Sequence, residues 1–132
     1  MNADAFRHFY NYHFAENRKI LDHVASLTFE QFTQKVDYSR GSIREQLVHL
    51  FDAEEMWFSE LRGVEPADPL PDTVDFDDRD AIRTFMDTVE KNSRAYLAEL
   101  QDDMLFTKPI KEPEDDQVLF AWQVLLHVAN HA

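Results

Sequence analysis

The stretch VLFAWQVLLHVANHA, residues 118–132, decides how the chain is read. At 100° per residue, Val118, Trp122, Leu125, Leu126 and Ala129 fall on one side of a helix, and Ala121, Val124 and Val128 lie off that side. Little of the circumference is left for water, and a helix apolar nearly all round belongs inside a bundle. His127 and His131 interrupt the pattern four residues apart, so they share one face. The pattern predicts two buried imidazoles, either hydrogen-bonding core groups or ligands for a metal.

Upstream, the same helical period recurs. The spacing of Phe6, Tyr10, His13, Asn17, Ile20, Leu21 and Val24 predicts a first helix over about residues 3–26. His13 and Asn17 sit within that stripe, where a polar group needs a hydrogen-bond partner. Thr28 to Gln31 has the T-x-x-Q form of a capping box and should open a short turn. After a linker over residues 35–41, Ser42 to Glu45 is a second capping box, and Gly63 should close the helix it starts. The stripe of that helix is Ile43, Leu47, Leu50, Trp57 and Leu61, with Glu54 at its centre. A carboxylate there must be paired or neutral, and Asn17 is a candidate partner on another helix. His49 lies farther round, beside Ala53 and Met56.

Prolines at 66, 69 and 71 forbid a regular helix over residues 64–77, which reads as a crossing loop. Asp77 or Asp78 should cap a third long helix to about residue 101. Its stripe is Ile82, Phe85, Met86, Val89, Ser93, Tyr96, Leu97 and Leu100. Ser93 there permits close packing or bonds back to the preceding turn. Residues 104–113, with Pro109 and Pro113, read as extended, and the acidic residues 114–116 suit the dipole of the helix that follows. The expected fold is all-α: a four-helix bundle with long crossover connections, one domain over residues 1–132.

Composition narrows the function. A chain of 132 residues suits one domain that buries roughly two-thirds of its unfolded surface. Net charge is −13, which argues against nucleic acid or an anionic membrane as partner. The first ten residues, MNADAFRHFY, lack the basic-then-apolar form of a signal peptide. No apolar run approaches the roughly 20 residues that span a bilayer. The cytoplasm is the default location. Without cysteine there is no thiolate ligand or cysteine nucleophile, so the histidines are the candidate metal ligands. His49 on the second long helix and His127 and His131 on the last could hold an ion between helices roughly 8–10 Å apart. The competing reading keeps all three as interior hydrogen-bonding groups of a non-catalytic bundle that binds a partner or another copy.

The sequence resembles a known family in three places. SIREQLVHLFDAEEMWF, residues 42–58, is similar to the second-helix motif of the DinB/YfiT-like family: a helix-starting serine, a histidine seven residues on, then glutamate and tryptophan three apart. NYHFAENRKIL, residues 11–21, with Asn17, is similar to its first-helix signature, and WQVLLHVANHA, residues 122–132, to the start of its fourth-helix motif. The resemblance implies a four-helix bundle of unusual connection order, commonly dimeric, with a divalent ion (Zn, Ni, Mn or Fe) on three histidines. By position His49 and His131 match two of these ligands. The family's third lies four residues beyond His131, whereas this sequence stops at Ala132. The expectation is therefore a native chain that runs on, with His127 the weaker substitute.

The resemblance also implies an activity. Similar families include thiol S-transferases that use bacillithiol, mycothiol or glutathione, and a thiol-dependent isomerase. In these the metal favours the thiolate, which attacks a small electrophilic substrate. Metal-assisted hydrolysis is the enzymatic alternative. Glu54 lies about 140° round the helix from His49 and is not expected to act as its base.

Overall fold

The structure, a computed structural model, describes residues 1–37, 41–70, 77–107, 110–111 and 118–132. Its helices are α1 (Ala3–Val24), α2 (Phe29–Thr33), α3 (Ile43–Arg62), α4 (Arg79–Glu99) and α5 (Ala121–His131). A 3-10 turn covers Asp102–Phe106, and two short strands, β1 (Ile110–Lys111) and β2 (Val118–Leu119), pair antiparallel just before α5. The fold is all-α, with α1, α3, α4 and α5 forming the bundle and α2 a short turn on its end. No described helix is long and apolar enough to cross a membrane. Residues 38–40 of the expected linker, Pro71, Pro109, Pro113 and the acidic run 114–116 lie outside the described residues.

Local chemistry sets the helix limits. Thr28 and Gln31 form both bonds of the expected capping box, Gln31 N–H to Thr28 Oγ1 at 3.1 Å and Thr28 N–H to Gln31 Oε1 at 2.9 Å. Ser42 Oγ accepts from Glu45 N–H at 3.1 Å and starts α3. Gly63 ends that helix in the left-handed region, φ 68°, where a residue without Cβ carries no steric penalty. Gly41 is likewise left-handed, φ 76°, so its backbone favours glycine; the Glu45 carboxylate that a Cβ would meet is the movable end of an exposed side chain.

Two other helix ends have no glycine and are closed from a distance. Arg7 on α1 donates to the Leu97 and Leu100 carbonyls at the end of α4, 3.0 and 2.9 Å away. Arg79 on α4 donates to the Val24 and Leu27 carbonyls at the end of α1, 3.1 and 2.6 Å away. Each guanidinium adds a donor to carbonyls at a helix end, where Val24 and Leu97 already accept from Leu27 N–H and Leu100 N–H.

Helices α4 and α5 each pack on both α1 and α3, so α1 and α3 face one another across the middle of the bundle. Two apolar clusters fill the interior. One joins Phe6, Tyr10 and Phe14 to Phe58, Tyr96, Leu97, Val124, Leu125 and Val128. The other joins Leu21, Val24, Phe32, Leu47 and Phe51 to Ile82, Phe85, Met86 and Val89. Between them in sequence on their helices come the buried polar residues Asn17, Glu54, Glu55 and Ser93, which with His13, one turn before Asn17, make a polar layer at the waist. All eight expected stripe residues of the third long helix are buried. The Ser93 hydroxyl has no hydrogen-bond partner among the described residues, so its part there is close packing and not a bond back to the helix.

The last helix differs most from expectation. Val118 belongs to β2 and not to the helix. The buried face of α5 is Ala121, Val124, Leu125 and Val128, while Leu126, His127 and His131 are exposed. The stripe is turned by roughly a quarter-circle at 100° per residue. A helix apolar on nearly every side carries little phase information, and contact with α1 and α3 chooses the face. The expected burial of the two imidazoles is corrected accordingly.

Tyr10 fixes that choice. Wholly buried, it donates its hydroxyl to the Leu125 carbonyl at 2.6 Å and packs edge-on against Phe58. Burial, with Glu54 and Tyr96 nearby, pushes its ionisation well above the ordinary tyrosine value of 10.0. Tyr10→Phe should cost about 0.5–1.5 kcal/mol at neutral pH. The raised folded-state value makes the protonated phenol a stabilising group below pH about 10 whose contribution is lost as pH rises beyond that. Urea unfolding of both proteins from pH 8 to 11 should show the wild type losing stability with pH more steeply than the variant.

Candidate metal-binding site

Near the C-terminal end of α5, His131 meets His49 of α3. The two rings are 5.4 Å apart between centroids and inclined at 66°. Both side chains line an open cleft of about 740 Å³ that runs on from the end of α5 between α1 and α3. Its walls are Ile20 of α1 and Ile43, Leu47 and Leu50 of α3, with Glu45 and Gln46 adding polar groups. His49 reaches the cleft because it sits off the buried stripe, which on α3 is Leu47, Phe51, Glu54, Glu55 and Phe58.

His127 is placed differently. Its ring lies 6.3 Å from that of His131 and packs edge-on against Trp57 at 5.4 Å. It borders a separate exposed hollow with Phe9, Trp122 and Leu126. The fold thus brings His49 and His131 together, with His127 one turn back along α5 against Trp57. Imidazole nitrogen is a suitable donor for a borderline divalent ion, and two such rings are in place. No group of three or more His, Asp or Glu side chains positioned to hold a metal occurs among the described residues. The donors brought together here are the imidazoles of His49 and His131.

Behind His131 lies a small inner cavity of about 10 Å³, lined by His13, Asn17, Leu50, Ala53, Glu54, Trp57, Val128 and His131. Glu54 is 4 % exposed, as its place in the stripe predicts. Its partner is His13 and not Asn17: His13 Nε2 and Glu54 Oε1 are 2.6 Å apart, a bond between α1 and α3 across the middle of the bundle. Asn17 Nδ2 approaches the same ring nitrogen at 3.4 Å. With Glu54 ionised, that nitrogen donates to the carboxylate and has no lone pair left for the amide, so the Asn17 approach is then a contact and not a second strong bond. His131 lines both the cavity and the cleft.

The sequence model of the DinB family matches residues 1–132, the whole chain. The chain belongs to the DinB family. No curated protein matches it. DinB membership agrees with the all-helical architecture and covers each segment that carries the site, from His13 on α1 to His131 on α5.

One buried ionisable residue of this DinB chain gave no sequence signal. Glu55, next to Glu54, is 1 % exposed; it accepts from Ala67 N–H at 3.1 Å and Asn92 Nδ2 at 3.3 Å, with Arg62 at 3.7 Å. A helix can bury two adjacent positions when neighbours flank it on both sides, and a single-stripe reading misses the second. Its partners tie α3 to α4 and to the loop after Gly63, away from the cleft.

Removing His13 leaves the Glu54 carboxylate buried without its partner. His13→Ala should therefore cost about 1–3 kcal/mol, and more if the carboxylate stays ionised. The exposed His49→Ala should change stability by about 0.5 kcal/mol or less. Denaturant midpoints of the two variants, measured side by side without metal, check this order.

Proposed function

We propose that this DinB-family chain is a divalent-metal-dependent enzyme acting on a small molecule, with His49 and His131 holding the ion. The observation that carries this reading is the approach of two imidazoles from different helices at a solvent-open cleft, 5.4 Å between ring centroids. Both rings are on exposed residues of different helices and neither closes the core, which leaves their nitrogens open to a ligand from the cleft. A divalent ion at such a site supplies Lewis acidity, lowering the pKa of a thiol or water that meets it.

The chain's own residues do the rest. Ile20, Ile43, Leu47 and Leu50 offer an apolar wall against which a small molecule loses water. Gln46 offers an amide and Glu45 a carboxylate at the same cleft. Glu54 lines the inner cavity and is bonded to His13, so it is not placed to take a proton from a molecule in the cleft. Thiol transfer is the preferred reaction class, because a thiol acidified by the ion needs no further base. Hydrolysis is the second reading, favoured by the Glu45 carboxylate in the cleft wall, which would serve as base.

With two protein nitrogens, metal affinity should be modest. Calorimetric titration of the metal-free chain with Zn²⁺, Ni²⁺ or Mn²⁺ should show one site per chain. The affinity should fall on acidification, because only neutral imidazole binds. It should drop at least about ten-fold in His49→Ala and in His131→Ala, and less in His127→Ala. Turnover of an electrophile with low-molecular-weight thiols should require the added ion, and Glu45→Gln should spare it; loss of turnover with Glu45→Gln selects hydrolysis. Undiminished affinity in both His49→Ala and His131→Ala would remove the site, and binding without turnover of any thiol or ester would leave a metal-binding module.

A further inference from the structure

We infer that the cleft at His49 and His131 selects its small molecule by charge, with Glu45 as the selecting residue. It takes a molecule whose end remote from the imidazoles is neutral or an ammonium group, and it disfavours one that carries a carboxylate there. The inference rests on the reading of this cleft as the substrate site and names the class of substrate. Glu45 supplies the one formally charged side chain in the cleft wall, and no Lys or Arg lines it among the described residues. The cations nearest to the wall in sequence are engaged elsewhere. Arg44 is buried and donates from Nε to Asp78 at 2.8 Å, and Lys19, beside Ile20 on α1, pairs with Glu16 at 2.9 Å. The N–H of Glu45 donates to the Ser42 cap, whereas its exposed carboxylate makes no hydrogen bond or ion pair among the described residues.

Helix geometry gives the cleft two ends. Glu45 and His49 are four residues apart on α3 and share one face, about 6 Å apart along the axis. The Glu45 carboxylate lies back over Gly41, away from His49. An imidazole end and an acidic end are thus joined by the apolar wall of Ile20, Ile43, Leu47 and Leu50. A molecule held at the imidazoles by its reacting group, with its chain on that wall, presents its far end to Glu45. Two opposed charges act there. Helix α3 begins at Ile43, and the positive end of its dipole, about half a unit of charge, favours an anion. The carboxylate brings a full negative charge into the same turn and outweighs the dipole. An ammonium group is therefore attracted, a carboxylate repelled, and an alcohol or amide accepted without either effect. Among low-molecular-weight thiols, this narrows the class to those without a carboxylate at that end.

The test has a readout that does not need metal. The metal-free chain is titrated at pH 8, where ordinary imidazole is neutral, with n-butylammonium, n-butanol and butyrate, three probes of similar length. NMR shifts of the Ile20, Ile43, Leu47 and Leu50 methyls report occupancy of the cleft. At low ionic strength the wild type should bind the ammonium about three- to five-fold more tightly than the alcohol, and butyrate more weakly by a similar factor. The order should fade at about 1 M salt. Glu45→Gln should bring the ammonium level with the alcohol, and Glu45→Lys should invert the order. Both variants alter an exposed side chain with no partner among the described residues, so both should fold as the wild type does. Equal binding of the three probes by the wild type, the same order retained in Glu45→Gln, or cleft methyls unmoved by every probe overturns the inference. The metal reading fails by a different result, a wild type that binds no Zn²⁺, and the methyl titration decides charge selection in either case.

Discussion

Burying a carboxylate is expensive, and α3 buries two of them while its neighbouring α4 starts with a third. Glu54, Glu55 and Asp78 are all nearly inaccessible in a chain of net charge −13. Each is answered by a different part of the fold. Glu54 meets His13 on α1, Glu55 meets Asn92 on α4 and the Ala67 N–H, and Asp78 accepts from Arg44 Nε at 2.8 Å. An unpaired buried carboxylate would cost several kcal/mol. The positions of α1, α4 and the loop after α3 are therefore bound to α3 by electrostatic need as well as by apolar contact. Apolar packing alone permits sliding by a turn; these pairs do not, because a one-turn slip separates them by about 5.4 Å.

The same bonds explain why the polar waist coexists with a stable interior. The two apolar clusters on either side exclude water from the layer, which strengthens each hydrogen bond within it. Tyr10 extends this logic to α5. One phenol hydroxyl on one carbonyl helps to fix the rotation of that helix, and the rotation in turn brings His131 to His49.

How much of this was legible in the sequence depended on whether the signal was local. The capping residues Thr28 and Ser42 and the closing Gly63 are local chemistry and were readable. The α4 stripe was readable because its other faces are charged, so one phase fits. Glu54 was readable as a carboxylate among apolar residues, but its partner was not, since His13 and Asn17 share a stripe and only the fold separates their distances. On α5 the apolar residues nearly encircle the helix, so the sequence held several phases of similar merit. That ambiguity moved Val118 into the helix and the imidazoles into the core. Of the site, the meeting of His49 with His131 followed from their motif positions, whereas the cavity behind His131 depends on side chains from three helices and has no sequence signature. Glu55 was hidden by its neighbour.

The two long-range arginines carry a consequence for how the chain assembles. Arg7 completes the end of α4, and Arg79 completes the end of α1. Each helix closes its last turn with its own backbone and gains a further donor only when the other arrives. Terminal turns that in many helices fray independently are here linked across some ninety and fifty residues of chain. Such reciprocal contact disfavours states in which one helix is in place and the other absent, and it depends on contacts between distant parts of the chain, which form more slowly than local ones.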